Sequence, residues 1–142
     1  MARTRTTSTP WTADDEARLL ATARAAARRA FAPHSKLRVG AAVLARDGRV
    51  VPGCNLESLA YGATLCAERA ALGAAVAAGV APADVVAVAV VSGRIDLAPC
   101  GVCRQLLADV APRCLVLHRA GGRFVTTPVE ALLPGRMMPW RR

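Results

Sequence analysis

The sequence predicts an α/β domain with three layers, α/β/α. Two observations carry this. Helical stretches alternate with short apolar runs along the chain, which suits helices packed on a sheet. One run, residues 84–91, is continuous Val and Ala after its first residue, Asp84, the pattern of a strand covered on both faces. At 142 residues the chain is one domain, long enough to bury a real core. The predicted boundaries are a basic arm over residues 1–12, a single domain over 13–134 and an irregular tail over 135–142.

In chain order, Thr12 or Asp14 caps a first helix, with Asp14, Asp15 and Glu16 near its positive end. Leu19, Leu20, Ala23, Ala27 and Ala30 continue its apolar face, and the helix ends before Pro33. Residues 39–45 read as a buried strand. Asp47-Gly48 makes a hairpin turn. Residues 49–55 return as a second strand, which Pro52 places at an edge or a bulge. A polar loop over 56–64 leads to a helix that starts near Leu65 or Cys66 and stops at Gly79. After the Val/Ala strand and a loop, Pro99 sets up a helix from about Cys100 to Val110, and Pro112 ends it. Two short strands flank Gly121-Gly122, and residues 129–133 form one helical turn.

Composition narrows the function. The chain is 54% hydrophobic, yet no apolar run approaches the ~20 residues of a membrane span. Arg3 and Arg5 are not followed by the apolar core of a signal peptide. The expectation is a soluble, cytoplasmic protein with no membrane partner. Five cysteines are an odd number, and metal or catalysis explains them better than disulfides. A net charge of +9 can mark a nucleic-acid binder. The arginines are scattered, however, and Lys36 is the single lysine, so the balance is against a nucleic-acid partner. A salt-sensitive gel shift with single strands would expose one.

The chemistry lies in Cys66-Ala67-Glu68-Arg69 and Pro99-Cys100-Gly101-Val102-Cys103-Arg104. Cys66, Cys100 and Cys103 offer three corners of a zinc tetrahedron and leave the fourth open for water. Cys66 and Cys100 each open a helix, where the dipole favours thiolate. Arg69 and Arg104 follow ligands and are expected to donate to the sulfurs, with a surface ion pair as the competing reading of each. Glu68, two residues after a ligand, is close enough to hold that water and take its proton without binding the metal, serving as base and then as acid. The competing structural reading is a closed zinc knot with His34 or His118 as fourth ligand, which would not require Glu68 or Pro99. Otherwise both histidines are structural. Cys54 and Cys114 read as buried small hydrophobes.

Cys-x-Glu followed by Pro-Cys-x-x-Cys is the three-cysteine form of the zinc nucleobase deaminase signature. Together with Ala32-Pro33-His34-Ser35-Lys36, Val39-Gly40-Ala41-Ala42, Gly53-Cys54-Asn55-Leu56-Glu57, Gln105 after the last motif and Leu132-Leu133-Pro134, the chain resembles the small, homotetrameric zinc-dependent cytidine deaminases. The resemblance implies a five-stranded mixed sheet between helices and one zinc per subunit. It implies hydrolysis of cytidine and deoxycytidine to uridine and deoxyuridine with release of ammonia. A modified cytosine nucleoside or a blasticidin-like antibiotic is the alternative substrate. Asn55 and Glu57 match the residues that hold the sugar hydroxyls, and the backbone of Ala67 matches the group that reads the pyrimidine edge. Tyr61 matches an aromatic near a neighbouring subunit's site, with interface packing as the other reading.

Four positions depart from the family pattern. His34 stands where Tyr is usual, Leu37 where a Phe packs on the nucleoside, Ser58 where Asn is usual, and Met137 where an aromatic reaches a neighbour. Losing a stacking face costs about 1–3 kcal/mol per base. The pliable Met137 or the ring of Trp140 would have to compensate.

Overall fold

The computed structural model describes residues 9–135. Its elements in order are α1 (Ala13–Ala27), β1 (Gly40–Ala45), β2 (Val50–Cys54), α2 (Ala67–Ala77), β3 (Val85–Val91), α3 (Gly101–Val110), β4 (Leu115–Ala120), β5 (Arg123–Pro128) and α4 (Val129–Leu132). The sheet order is β2-β1-β3-β4-β5. Neighbours run antiparallel except β3 and β4, which are parallel. The sheet is therefore five-stranded and mixed.

The helices divide between its two faces. Leu19, Leu20 and Ala23 of α1 pack with Ala42, Leu44, Ala87, Ala89, Val91 and Leu117. On the other face Ala67, Ala71, Leu72 and Ala75 of α2 and Leu107 of α3 pack with Ala41, Val43, Val88 and Val116. Alternate residues of β1 thus serve opposite faces, and all six are buried. This is the three-layer α/β/α arrangement, and Pro52 lies on edge strand β2.

Two glycines set the layer spacing. A Cβ on Gly40 would lie 1.9 Å from the carbonyl oxygen of Ala23, and one on Gly53 would lie 2.2 Å from the amide nitrogen of Ala71. Only glycine lets α1 and α2 lie this close to the sheet. Gly53 also lies against the carbonyl of Ala67, so it fixes the depth of the turn that carries Glu68.

Several boundaries differ from the sequence expectation. Helix α1 stops at Ala27, short of Ala30, because residue 31 is diverted into a bridge with Leu56. Trp11 is buried and Thr12 forms a capping box with Asp15, so packed chain begins inside the stretch expected to be an arm. Such a cap is worth about 1 kcal/mol. Residues 1–8, and the departures at Met137 and Trp140, lie outside the described residues. Among the described residues no helix is long and apolar enough to cross a membrane.

Candidate metal centre and active site

The N-termini of α2 and α3 converge because each helix follows a strand that ends on the same side of the domain. Cys66 is the N-cap of α2 and Cys100 the N-cap of α3. Cys103 lies in the first turn of α3 and is buried. The Sγ atoms of Cys66 and Cys100 are 3.6 Å apart, and the three sulfurs all lie within 4.8 Å of one another. A zinc tetrahedron with 2.3 Å bonds has edges of about 3.8 Å, so the three sulfurs fit zinc. The Cys66–Cys100 separation far exceeds a disulfide bond of about 2.05 Å. Among the described residues this is the one cluster of His, Cys, Asp and Glu with converging ligand atoms. Neither His34 nor His118 joins it, so the closed four-ligand knot is not formed from them.

The thiols are not equivalent. Burial raises the pKa of Cys66, and contact with Cys100 adds to the rise. Burial also acts upward on Cys100, but hydrogen bonds from the Cys103 backbone and from the neighbouring thiols outweigh it and its pKa is lowered. Cys103 is pushed up by burial first and by the surrounding negative charge second. Three sulfurs this close resist carrying three charges without a cation between them.

Glu68 is the second residue of α2 and only 5% exposed. Burial lifts its carboxyl above the ordinary range. Its own backbone N–H, a hydrogen bond from Cys103 and the charge of Arg69 oppose that rise. A buried carboxylate with a raised pKa in the first turn after Cys66 is placed to take up and give back a proton.

The two arginines separate. Arg69 donates from Nη2 to the carbonyl of Thr64 at 2.6 Å, while its Nε is buried without a hydrogen-bond partner. Burial works against its charge, but the nearby Cys66, Cys103 and Cys100 sulfurs favour it and its pKa is raised. Arg104 does not serve the sulfurs. It donates from Nε to the Pro99 carbonyl at 2.7 Å and from Nη1 to the Leu132 carbonyl at 2.9 Å. Its stem curls back over the first turn of α3, so its donors meet backbone carbonyls and not thiols.

The remaining candidates, Leu37, Asn55, Glu57, Tyr61 and Ala67, lie along residues 37–67 of the chain. Residues 55–57 are tied on one side to Phe31 and on the other to Leu65, the residue before Cys66. Asn55 is buried. Its Oδ1 accepts from Val39 N at 2.8 Å, and its Nδ2 donates to the Leu37 carbonyl at 2.9 Å. Glu57 accepts from the backbone of His34 and Ser35 and from the Ser35 hydroxyl. Its pKa is lowered, most by that hydroxyl. Leu37 is half-buried. Ala67 is fully buried in the first turn of α2, where backbone N–H groups lack helical partners. Tyr61, in a 3-10 turn (Tyr61–Ala63), is 89% exposed.

Ser58 donates its N–H to Thr64 Oγ1 at 3.0 Å, and its own hydroxyl accepts from Ala60 N at 3.1 Å. Its contacts shape the loop before α2. Cys114 is buried as expected, its thiol pushed up to about 12 by burial, whereas Cys54 is only half-buried because it ends an edge strand. Reading the chain alone assigned no role to the bonds that Ser35 makes with Glu57. Its place in the Pro33-His34-Ser35 motif was the available signal.

The family model for the cytidine and deoxycytidylate deaminase zinc-binding region matches residues 13–118. The chain belongs to this deaminase family. Among its relatives is a cytidine deaminase of Sporosarcina psychrophila, 40% identical over 123 residues, covering 85% of this chain and 90% of that one. A blasticidin-S deaminase of Bacillus cereus is 37% identical over 108 residues, covering 70% and 76%. Among solved structures, a cytidine deaminase from Burkholderia pseudomallei superposes with a TM-score of 0.80 at 39% identity, covering 89% of this chain and all of that one. One from Mycobacterium tuberculosis gives 0.75 at 38% identity, covering 88% and 98%.

Proposed function

We propose that this protein is a zinc-dependent hydrolase that converts cytidine and deoxycytidine to uridine and deoxyuridine and releases ammonia. The observation that carries the reading is the buried Glu68 beside three converging thiols. Cys66, Cys100 and Cys103 would hold one zinc per chain, and Arg69 would neutralise part of their charge. Zinc, when bound, lowers the pKa of water from its bulk value toward ~7. Glu68 takes a proton from water, delivers it to the ring nitrogen and later donates a proton to the departing amine. Its raised pKa favours that alternation. Asn55 and Glu57 hold the sugar, the Ala67 backbone reads the pyrimidine edge and Leu37 packs on the ring. The enzyme acts in the cytoplasm in pyrimidine salvage as a homotetramer, with Tyr61 reaching a neighbouring site.

The test is Glu68→Ala. Zinc content should stay near one per chain, while kcat falls by about 10²–10⁴. Retention of most activity would end this mechanism. A second reading, deamination of a modified cytosine nucleoside or antibiotic, is favoured by the blasticidin-S deaminase relative and by Leu37 in place of an aromatic. Ammonia release measured across a panel of cytosine nucleosides decides between them: the preferred substrate shows the highest kcat/KM.

A further inference from the structure

Residues 34–39 are lashed to Asn55 and Glu57 by side-chain hydrogen bonds, and Ser35 is the central knot. The Ser35 hydroxyl accepts from the Leu37 N–H at 2.9 Å and donates to Glu57 Oε1. Glu57 Oε2 accepts from the backbone N–H groups of His34 at 2.9 Å and Ser35 at 3.1 Å. The chain makes this turn by placing Lys36 in the left-handed region, φ +62°, which a non-glycine residue adopts only when its surroundings impose it.

Acceptor counting shows what the knot leaves over. A carboxylate oxygen accepts about two hydrogen bonds. Oε2 already has two, and Oε1 has one. One acceptor position remains on Glu57, and Ser35 decides which. A hydroxyl has one proton to give, and the Leu37 N–H occupies the oxygen from the other side, so Ser35 cannot turn away without losing that bond. The charge of Glu57 is held by the same contact.

We propose that Ser35 is a positioning residue for nucleoside binding: it orients Glu57 so that its remaining Oε1 acceptor position receives a sugar hydroxyl. Ser35 itself does not touch the substrate. This rests on the assignment of Glu57 to the sugar. Ser35 is exposed and lies in a loop, so its replacement leaves the core and the sulfur cluster untouched.

The experiment is a double-mutant cycle read in KM for cytidine, with kcat, zinc content and melting temperature measured alongside. Ser35→Ala should raise KM about tenfold, as expected for one hydrogen bond to a charged group, with kcat changed less than about twofold and zinc unchanged. Ser35→Thr, which keeps the hydroxyl, should restore KM. In a Glu57→Gln background, Ser35→Ala should add less than about twofold, because its effect passes through Glu57. Effects that multiply, or a fall in kcat at constant KM, would overturn the proposal. So would a Ser35→Ala enzyme with unchanged KM when Glu57→Gln raises it. If Glu57→Gln itself leaves KM unchanged, the sugar assignment fails first, and the positioning role fails with it.

Discussion

His118 shows how a single buried titratable side chain ties this fold to pH. It is 7% exposed, and its Nε2 lies 3.0 Å from Thr127 Oγ1. Burial lowers its pKa, a backbone contact at Arg119 opposes this, and the charge of Arg104 adds to the lowering. A base with a depressed folded pKa binds its proton more readily in the unfolded chain. Its stabilising contribution is therefore complete above the ordinary value of 6.5 and is lost as pH falls through the folded pKa. The melting temperature should drop between about pH 7.5 and pH 5.5, and His118→Gln should flatten that part of the profile. A slope that persists in His118→Gln would assign the effect to another group. Glu57 shifts the opposite way from Glu68, downward by hydrogen bonding rather than upward by burial. The two opposite shifts suit the different tasks proposed for these carboxyls, a fixed acceptor and a proton carrier.

At the scale of elements, the centre depends on how deeply α2 and α3 sit. Gly53 lets α2 touch β2 at Ala67 and Ala71, which brackets Glu68. Gly53→Val should cost about 1–3 kcal/mol by overpacking. It should also reduce kcat, because the displaced turn carries Glu68. Thermal melting and steady-state kinetics on the same preparation check both, and a stable variant with parental kcat would show that α2 tolerates the shift. Arg104 plays the matching part for α3. By bonding to Pro99 and Leu132 it joins the residue before Cys100 to the end of α4.

The whole molecule presents more apolar surface than its chemistry requires. Leu59 is 83% exposed and Tyr61 89%, with Phe31 and Leu56 each more than half exposed. Phe31 bridges Leu56, and Leu56 bridges Leu65 beyond the loop that carries Leu59 and Tyr61. Large exposed apolar groups on such a loop suit an interaction surface, which is consistent with the proposed homotetramer. Light scattering should give about four times the 14.8 kDa chain mass. Replacing both Leu59 and Tyr61 by Arg should shift the population to smaller species and lower activity with it. A parent enzyme that is monomeric and fully active would overturn the assembly. A cavity of about 670 Å³ is lined by residues such as Trp11, Leu44 and Val110 and includes none of the site residues. Size alone therefore does not locate the chemistry.

The order of helices and strands, the helix-opening places of Cys66 and Cys100, and the Cys-x-Glu and Pro-Cys-x-x-Cys spacings were legible from residues alone. They are local matters of periodicity, turn residues and side-chain type. The approach of Cys66 and Cys100, 34 positions apart, the burial that raises Glu68, and the turning of Arg104 away from sulfur were settled only by tertiary packing. So was the knot between Ser35 and Glu57, which are 22 residues apart. Distances and desolvation arise when separate segments meet, and no periodicity along one segment encodes where another will lie.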